Sequence, residues 1–264
     1  MVTLFLKRLG RTFWQASTDG CLGCAKGAAY SALLSIFPVL SSLTAILAQA
    51  NAERLAQTLA RLLFEVTPDG AEGLLRHTLT ARGAKPIYLL IGAGLLSAIA
   101  ASEVMLSLMD GFQAAFRVRT SRGFWRQRMV ATALVFAAAL PALAASAFVI
   151  YTGGAFSYVP AVVAVAMATM LLYRFGPDLP DHLMRTPVWP GALIATALWV
   201  ISTVLFVAYV RYMANYNIIY GSIGAVVALM VWLYLLMASA LMGCEYNAER
   251  LREEVYPGKL EPPA

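Results

Sequence analysis

Three stretches without a single charged residue, Gly27 to Ala52, Thr186 to Val210 and Tyr212 to Cys244, constrain this chain more than anything else in it. They run to 26, 25 and 33 residues, and about 20 apolar residues suffice to cross a bilayer core. Hydrocarbon offers the backbone no hydrogen-bond partners, so each stretch is expected to be helical. A fourth charge-free stretch, Met129 to Tyr173, covers 45 residues and is too long for one helix. Thr152, Gly153, Gly154, Ser157 and Pro160 interrupt it, which splits it into a hairpin of two spans. A sixth span starts at Pro86, stays uncharged to Ser102 and continues past Glu103 towards Asp110. The expected fold is therefore all-α, a polytopic bundle of six transmembrane helices over roughly 27–50, 86–110, 129–151, 157–173, 189–210 and 219–244.

Composition agrees. Only 13% of the 264 residues are charged and 60% are hydrophobic, with mean hydropathy +0.70, whereas a soluble domain carries about 25% charge on its surface. The net charge of +6 raises the question of nucleic acid, but such binders gather Lys and Arg on one patch. Here the basic residues fall between apolar stretches, so no nucleic-acid partner is expected. Sorted by loop, fourteen of the twenty Lys and Arg lie in the N-terminal segment, the second and fourth loops and the tail. Six lie on the opposite side, which places both termini in the cytoplasm. The organisation is thus an N-terminal segment 1–24, a six-helix domain 25–248 and a cytoplasmic tail 249–264.

The N-terminal segment does not read as a cleaved signal, because Asp19 and Gly20 break the run before the first span. Leu4, Phe5, Leu9, Phe13 and Trp14 among Lys7, Arg8 and Arg11 suit a short helix in the headgroup region, with a frayed tail as the alternative. In the external loop 51–85, Leu55, Leu59, Leu62, Leu63 and Val66 recur at helical spacing. Asp69 and Glu72 can cap a second short helix there. These helices either cover a cavity or rest on the membrane boundary.

Catalytic constellations are scarce. His77 and His182 fall on opposite sides of the expected membrane, so they cannot share a metal. Cys21 and Cys24 form a CxxC without the second ligand pair or βαβ context that zinc or redox chemistry needs. No P-loop, nucleophile elbow or HExxH motif occurs. The sequence predicts neither an enzyme nor a cofactor or metal site. Arg117, Arg119, Arg122, Arg126 and Arg128, with Phe124 and Trp125 between them, suit contact with anionic lipid headgroups. Membrane lipids are the expected partners, with homo-oligomerisation left open.

Glu103 is the most informative single residue. A carboxylate within a hydrophobic span faces the bundle interior or a wet cavity, or else snorkels to the boundary. Glu245 follows the last span, and its partner is expected among the basic residues of the second or fourth loop. Pro38 and Pro141 remove backbone hydrogen bonds inside the first and third spans, and Ser35, Ser41 and Ser42 could answer the carbonyl freed by Pro38. A kinked helix lines substrate cavities in transporters or is simply bent. With Tyr30, Ser35, Pro38 and Glu103 form the candidate pathway, while Gly221 and Gly224 suit close helix packing.

Tyr220-Gly221-Ser222-Ile223-Gly224-Ala225, then Val231-Trp232-Leu233-Tyr234, then Gly243-Cys244-Glu245-Tyr246-Asn247-Ala248, resembles the C-terminal signature of the YihY/virulence factor BrkB family. Ala29 to Pro38, Tyr173-Arg174-Phe175-Gly176-Pro177 and Trp189-Pro190-Gly191-Ala192 resemble its earlier motifs. Tyr220, Gly221, Gly224, Trp232, Glu245 and Asn247 are then its motif and packing residues. The resemblance implies a bacterial inner-membrane protein of six helices. Envelope and lipid-related roles proposed for relatives point to a transporter of a lipid or other amphiphile, with a non-transporting envelope scaffold as the alternative. An older label for similar proteins, ribonuclease BN, finds no metal cluster or catalytic histidine pair to support it here, and an RNA-processing or intramembrane enzyme is the remaining expectation.

Overall fold

The computed structural model describes residues 2–49, 87–118, 122–152, 158–179, 186–212 and 217–255. These residues hold seven α-helices and no strand: α1 Val2–Thr18, α2 Cys21–Gln49, α3 Ile87–Phe116, α4 Phe124–Thr152, α5 Tyr158–Phe175, α6 Trp189–Tyr212 and α7 Asn217–Val255. The segment 51–85, with its two expected amphipathic helices, lies outside the described residues, as do His77, His182 and Arg119.

Three helical stretches, Gly94–Phe116, Trp189–Tyr209 and Val226–Glu254, are long and apolar enough to cross a membrane, and Cys21–Ile36 and Val159–Phe175 are shorter apolar ones. The chain is an all-helical membrane protein. At 39 residues, α7 is roughly 58 Å long at about 1.5 Å per residue, nearly twice a hydrocarbon core of about 30 Å, so part of it projects beyond. Pro38 and Pro141 sit inside continuous α2 and α4.

Helices α2 to α7 close a ring in which each packs on the next, α7 returns to α2, and α3 also touches α7 across the middle. Helix α1 docks on α7. Thr12 and Ala16 face inward, while Phe13 and Trp14 stay exposed, as a helix at the headgroup boundary requires. The α1–α2 turn forms where the sequence breaks: α1 ends at Thr18, and Gly20 takes φ 77°, a conformation that costs a glycine little.

The main core is built from small side chains. Ala16, Cys21, Ala25, Ala28, Ala115, Ala192, Ala195, Ala238 and Ala248 surround Phe112, Tyr173 and Leu241. It lies where the α1–α2 turn, the end of α3, the α5–α6 connection and the last turns of α7 converge. Small residues let the backbones approach closely, which is how helices gain dispersion contacts where lipid weakens the hydrophobic drive. Gly243 of α7 and Gly191 of α6 mark the tightest approach, because a Cβ on either would overlap the other's carbonyl oxygen. Away from this core the helices present Leu95, Leu96, Ile99, Leu140, Val204 and Leu205 to their surroundings, each more than half exposed, as a lipid-facing surface should.

Candidate functional site

Two polar arrangements stand out in this apolar bundle. The first is interior, at the convergent end. Glu245 is fully buried and Glu249 nearly so. Arg252, two turns further along α7, hydrogen-bonds Glu245 Oε1. It also donates to the Ala115 carbonyl at 2.8 Å and lies 3.4 Å from Glu249 Oε2. Cations favour helix C-terminal carbonyls, so Arg252 closes the end of α3 while neutralising charge on α7. The expected partner for Glu245 in the second or fourth loop is thereby corrected: a residue at i+7 stacks over it on the same helical face.

Arg117 stands beside this cluster, directly after α3. Its N–H bonds the Ala114 carbonyl at 3.0 Å and the Val118 N–H bonds Gln113 O at 3.0 Å, the Schellman closure usually made with glycine. Arg117 adopts φ 53° instead, which for a residue with a Cβ costs about 1–2 kcal/mol. The cost is offset by its side chain: Nε reaches both Asp19 oxygens at 3.2 and 3.1 Å, and Nη2 reaches Gln15 Oε1 at 2.6 Å. Hydrogen bonding to Asp19, reinforced by that residue's charge, holds the guanidinium pKa above its ordinary value. The pair ties the α1–α2 turn to the end of α3. Arg8 bonds Glu253, Arg11 approaches the same carboxylate at 3.7 Å, and Arg8 lies 5.9 Å from the Tyr246 ring, which docks α1 on α7.

Arg122 performs the same closure for α5. It donates to the Phe175 and Gly176 carbonyls at 3.2 Å and pairs with Asp178 at 3.1 Å. Asn247 serves the opposite end of α6: its Oδ1 accepts the Gly191 N–H at 2.8 Å and its Nδ2 donates to Val188 O at 2.9 Å. It thereby pairs an N–H that a helix start leaves orphaned and adds a second donor to the Val188 carbonyl, which also accepts the Ala192 N–H at 3.2 Å. The Tyr173 hydroxyl, otherwise buried, donates to Ala240 O, and its ring meets Phe112 edge-on at 5.5 Å.

The second arrangement lies on the outer face of α3. Glu103, Ser107 and Asp110 are spaced to share one helical face. Arg128 of α4 pairs with Glu103 at 2.6 Å, and Gln127 reaches Asp110 at 3.4 Å. The Glu103 side chain is 50% exposed and Arg128 23%. One and two turns further along the same face come Ile99 and Leu96, both exposed. The face is thus polar at one end and apolar beyond it.

A family profile described as Virulence factor BrkB matches residues 12–264. The chain belongs to the virulence factor BrkB family. Among its relatives, the ribonuclease-like protein YfkH of Bacillus subtilis is 29% identical over 83% of this chain and 86% of its own length. A UPF0761 membrane protein of Aliivibrio salmonicida is 25% identical over 83% of this chain and 75% of its own. Another, of Chlorobium phaeobacteroides, is 25% identical over 97% of this chain and 63% of its own. No solved structure gives a significant match.

The stretch Gly243 to Ala248, which carried the family resemblance, supplies three of the contacts just described: Gly243 against α6, Glu245 to Arg252, and Asn247 across the start of α6. Trp232, one of the earlier motif residues, stacks on Phe206 with ring centroids 5.6 Å apart. Gly224 is partly buried on α7, and Tyr220 and Gly221 fall in the same helix. Of the candidate pathway, Tyr30 is exposed on α2, and the buried Ser35 donates to Ala32 O at 2.8 Å. Ser97 Oγ of α3 lies 2.9 Å from the Pro38 carbonyl and 2.7 Å from Ser42 Oγ. Glu103, on α3, pairs with Arg128 of α4. Of the arginines in the second loop, Arg117, Arg122 and Arg128 hold intramolecular partners, and Arg126 is exposed.

By sequence alone Asp19 is only a helix breaker and Arg252 only a charge in the tail. The i+7 spacing of Glu245 and Arg252 was the legible signal for one of them. Nothing local marks Asp19, whose charged partner Arg117 lies 98 positions away.

Proposed function

We propose that this protein is a six-span inner-membrane protein with both termini in the cytoplasm, and that it moves a lipid or similar amphiphile along the face shared by α3 and α4. The observation that carries this reading is the exposed face on which the Glu103–Arg128 pair is followed by Ile99 and Leu96. A charged pair beside hydrocarbon is costly unless something polar visits it. An amphiphile matches the face in both parts, its headgroup at the ion pair and its chains against the apolar turns. The reading needs no catalytic group and no cofactor.

The orientation draws on the convergence of the N-terminal helix, the α3–α4 and α5–α6 connections and the end of α7, which carry most of the Lys and Arg. Exposed Trp14, Phe124, Trp125 and Trp189 sit in these same segments, as an aromatic belt does. A C-terminal tag should resist protease added outside intact cells, and cleavage there would reverse the orientation.

Reconstituted into vesicles with a fluorescent phospholipid, the protein should speed movement between leaflets over protein-free vesicles, and Glu103→Gln should lower that rate about tenfold, the effect of roughly 1.4 kcal/mol. Equal rates with and without protein would count against transport. They would favour the scaffold reading, which draws on the tight glycine contact and the ionic ties at the convergent end.

A further inference from the structure

The face shared by α3 and α4 carries its groups in a fixed order along the helix. Asp110 and Glu103 are seven residues apart on α3, so they lie on one face, about 10 Å apart along its axis. Arg128 reaches Glu103 at 2.6 Å, while the side chain that reaches Asp110 is the uncharged Gln127 amide, at 3.4 Å. Asp110 is exposed, and among the described residues it pairs with no cation. The neighbouring cations stand apart from it. Arg126, two positions before Arg128, lies about 160° around α4 from it at 3.6 residues per turn. Lys26 of α2 is exposed beside Gly27, where a Cβ would meet Ser107 Oγ at 4.0 Å, and it pairs with neither carboxylate.

Depth along the face follows from the apolar residues. Phe124 and Trp125, 66% and 75% exposed, fall within a turn of Gln127 and mark the headgroup level. Ile99 and Leu96, about three and four turns from Asp110, lie at the level of acyl chains and are exposed there. A phospholipid with its chains on these two residues brings its phosphate level with Arg128. That guanidinium commits Nη2 to Glu103, and its remaining N–H donors suit a phosphate. Whatever the headgroup carries beyond the phosphate then meets Asp110. A carboxylate accepts a charge-assisted hydrogen bond from a primary ammonium, whereas a quaternary ammonium has no N–H to donate and a glycerol hydroxyl has no charge.

We infer that this face selects a phospholipid whose headgroup ends in a primary ammonium, phosphatidylethanolamine, with the phosphate at Arg128 and the ammonium at Asp110. The inference rests on the reading of the face as a path for an amphiphile and adds which headgroup the path accepts. The order carboxylate, ion pair, apolar turns on α3 and α4 is the complement of ammonium, phosphate, acyl chains in that lipid.

The test uses the full chain in phosphatidylcholine vesicles. These carry traces of phosphatidylethanolamine, phosphatidylcholine or phosphatidylglycerol, each labelled on an acyl chain so that the headgroup is untouched. Phosphatidylethanolamine should change leaflets about tenfold faster than the other two, the discrimination expected of one charge-assisted hydrogen bond. Asp110→Asn should bring the three rates together, and Asp110→Glu should keep the preference. Equal rates for all three lipids on the parent protein overturn the selectivity and leave the amphiphile path standing. No acceleration of any lipid overturns both. A preference that persists in folded Asp110→Asn also overturns the inference, and if that variant does not fold, the comparison on the parent decides.

Discussion

Gly243→Ala should abolish most of the folded protein recovered in detergent, with a stability loss of about 3 kcal/mol, the upper end of what overpacking usually costs. The added methyl would overlap the Gly191 carbonyl oxygen and stand 2.6 Å from the Tyr173 hydroxyl and 2.7 Å from the Ala195 Cβ. The first of these is backbone, held in α6 by its own hydrogen bonds, and it cannot swing aside as a flexible side chain would. Relief requires α6 and α7 to separate. That separation would loosen the Asn247 bonds to Val188 and Gly191 as well, since they bridge the same two helices. Gly92→Ala is the control: nothing stands within 4 Å of its Cβ position, and alanine is the better helix former by roughly 0.8–1.0 kcal/mol. Thermal unfolding followed by size-exclusion chromatography separates the two. A Gly243→Ala protein that melts with the parent would show that the α6–α7 crossing is looser than described.

Arg252→Ala is expected to cost about 3–5 kcal/mol, the usual result of removing one partner of a buried ion pair. The loss is large because the guanidinium has several tasks. It neutralises Glu245, stands nearest to Glu249, and closes the α3 carbonyl end at Ala115. Alanine leaves both glutamates buried beside Asp19 with no cation of their own. Arg252→Lys should retain less than half of the stabilisation, since one ammonium cannot span these acceptors as a planar guanidinium does. Unfolding midpoints of the three proteins in the same detergent measure this. An Arg252→Ala protein as stable as the parent would mean that the cluster contributes nothing to holding the end together.

The face on α3 and the cluster on α7 show why some of this was legible and some was not. Glu103 was conspicuous because charge is rare in an apolar run, and no structure is needed to notice it. Whether it pointed inward or outward depended on which side of α3 met its neighbours, and it pairs with Arg128 on an exposed face. Glu245 is equally conspicuous, yet the sequence points to the loops for its partner, because nothing in it marks that α7 continues unbroken to Val255 and carries Arg252 on the same face. Asn247 belonged to a recognisable motif, but its bonds to Val188 and Gly191 exist only once α6 and α7 cross.

The order of residues alone determined that this chain is helical and lives in a membrane, because uncharged stretches of 25 residues and more leave the backbone no other way to satisfy its polar groups in hydrocarbon. It also determined family membership, through short motifs whose spacing survives without knowledge of their contacts. The tertiary structure decided which polar groups meet. Hydrogen bonds and ion pairs act over about 3 Å, while the residues that make them here, Asp19 with Arg117 or Gly191 with Asn247, are 98 and 56 positions apart. Only the packing of small side chains, bringing helix ends to one place, closes those distances.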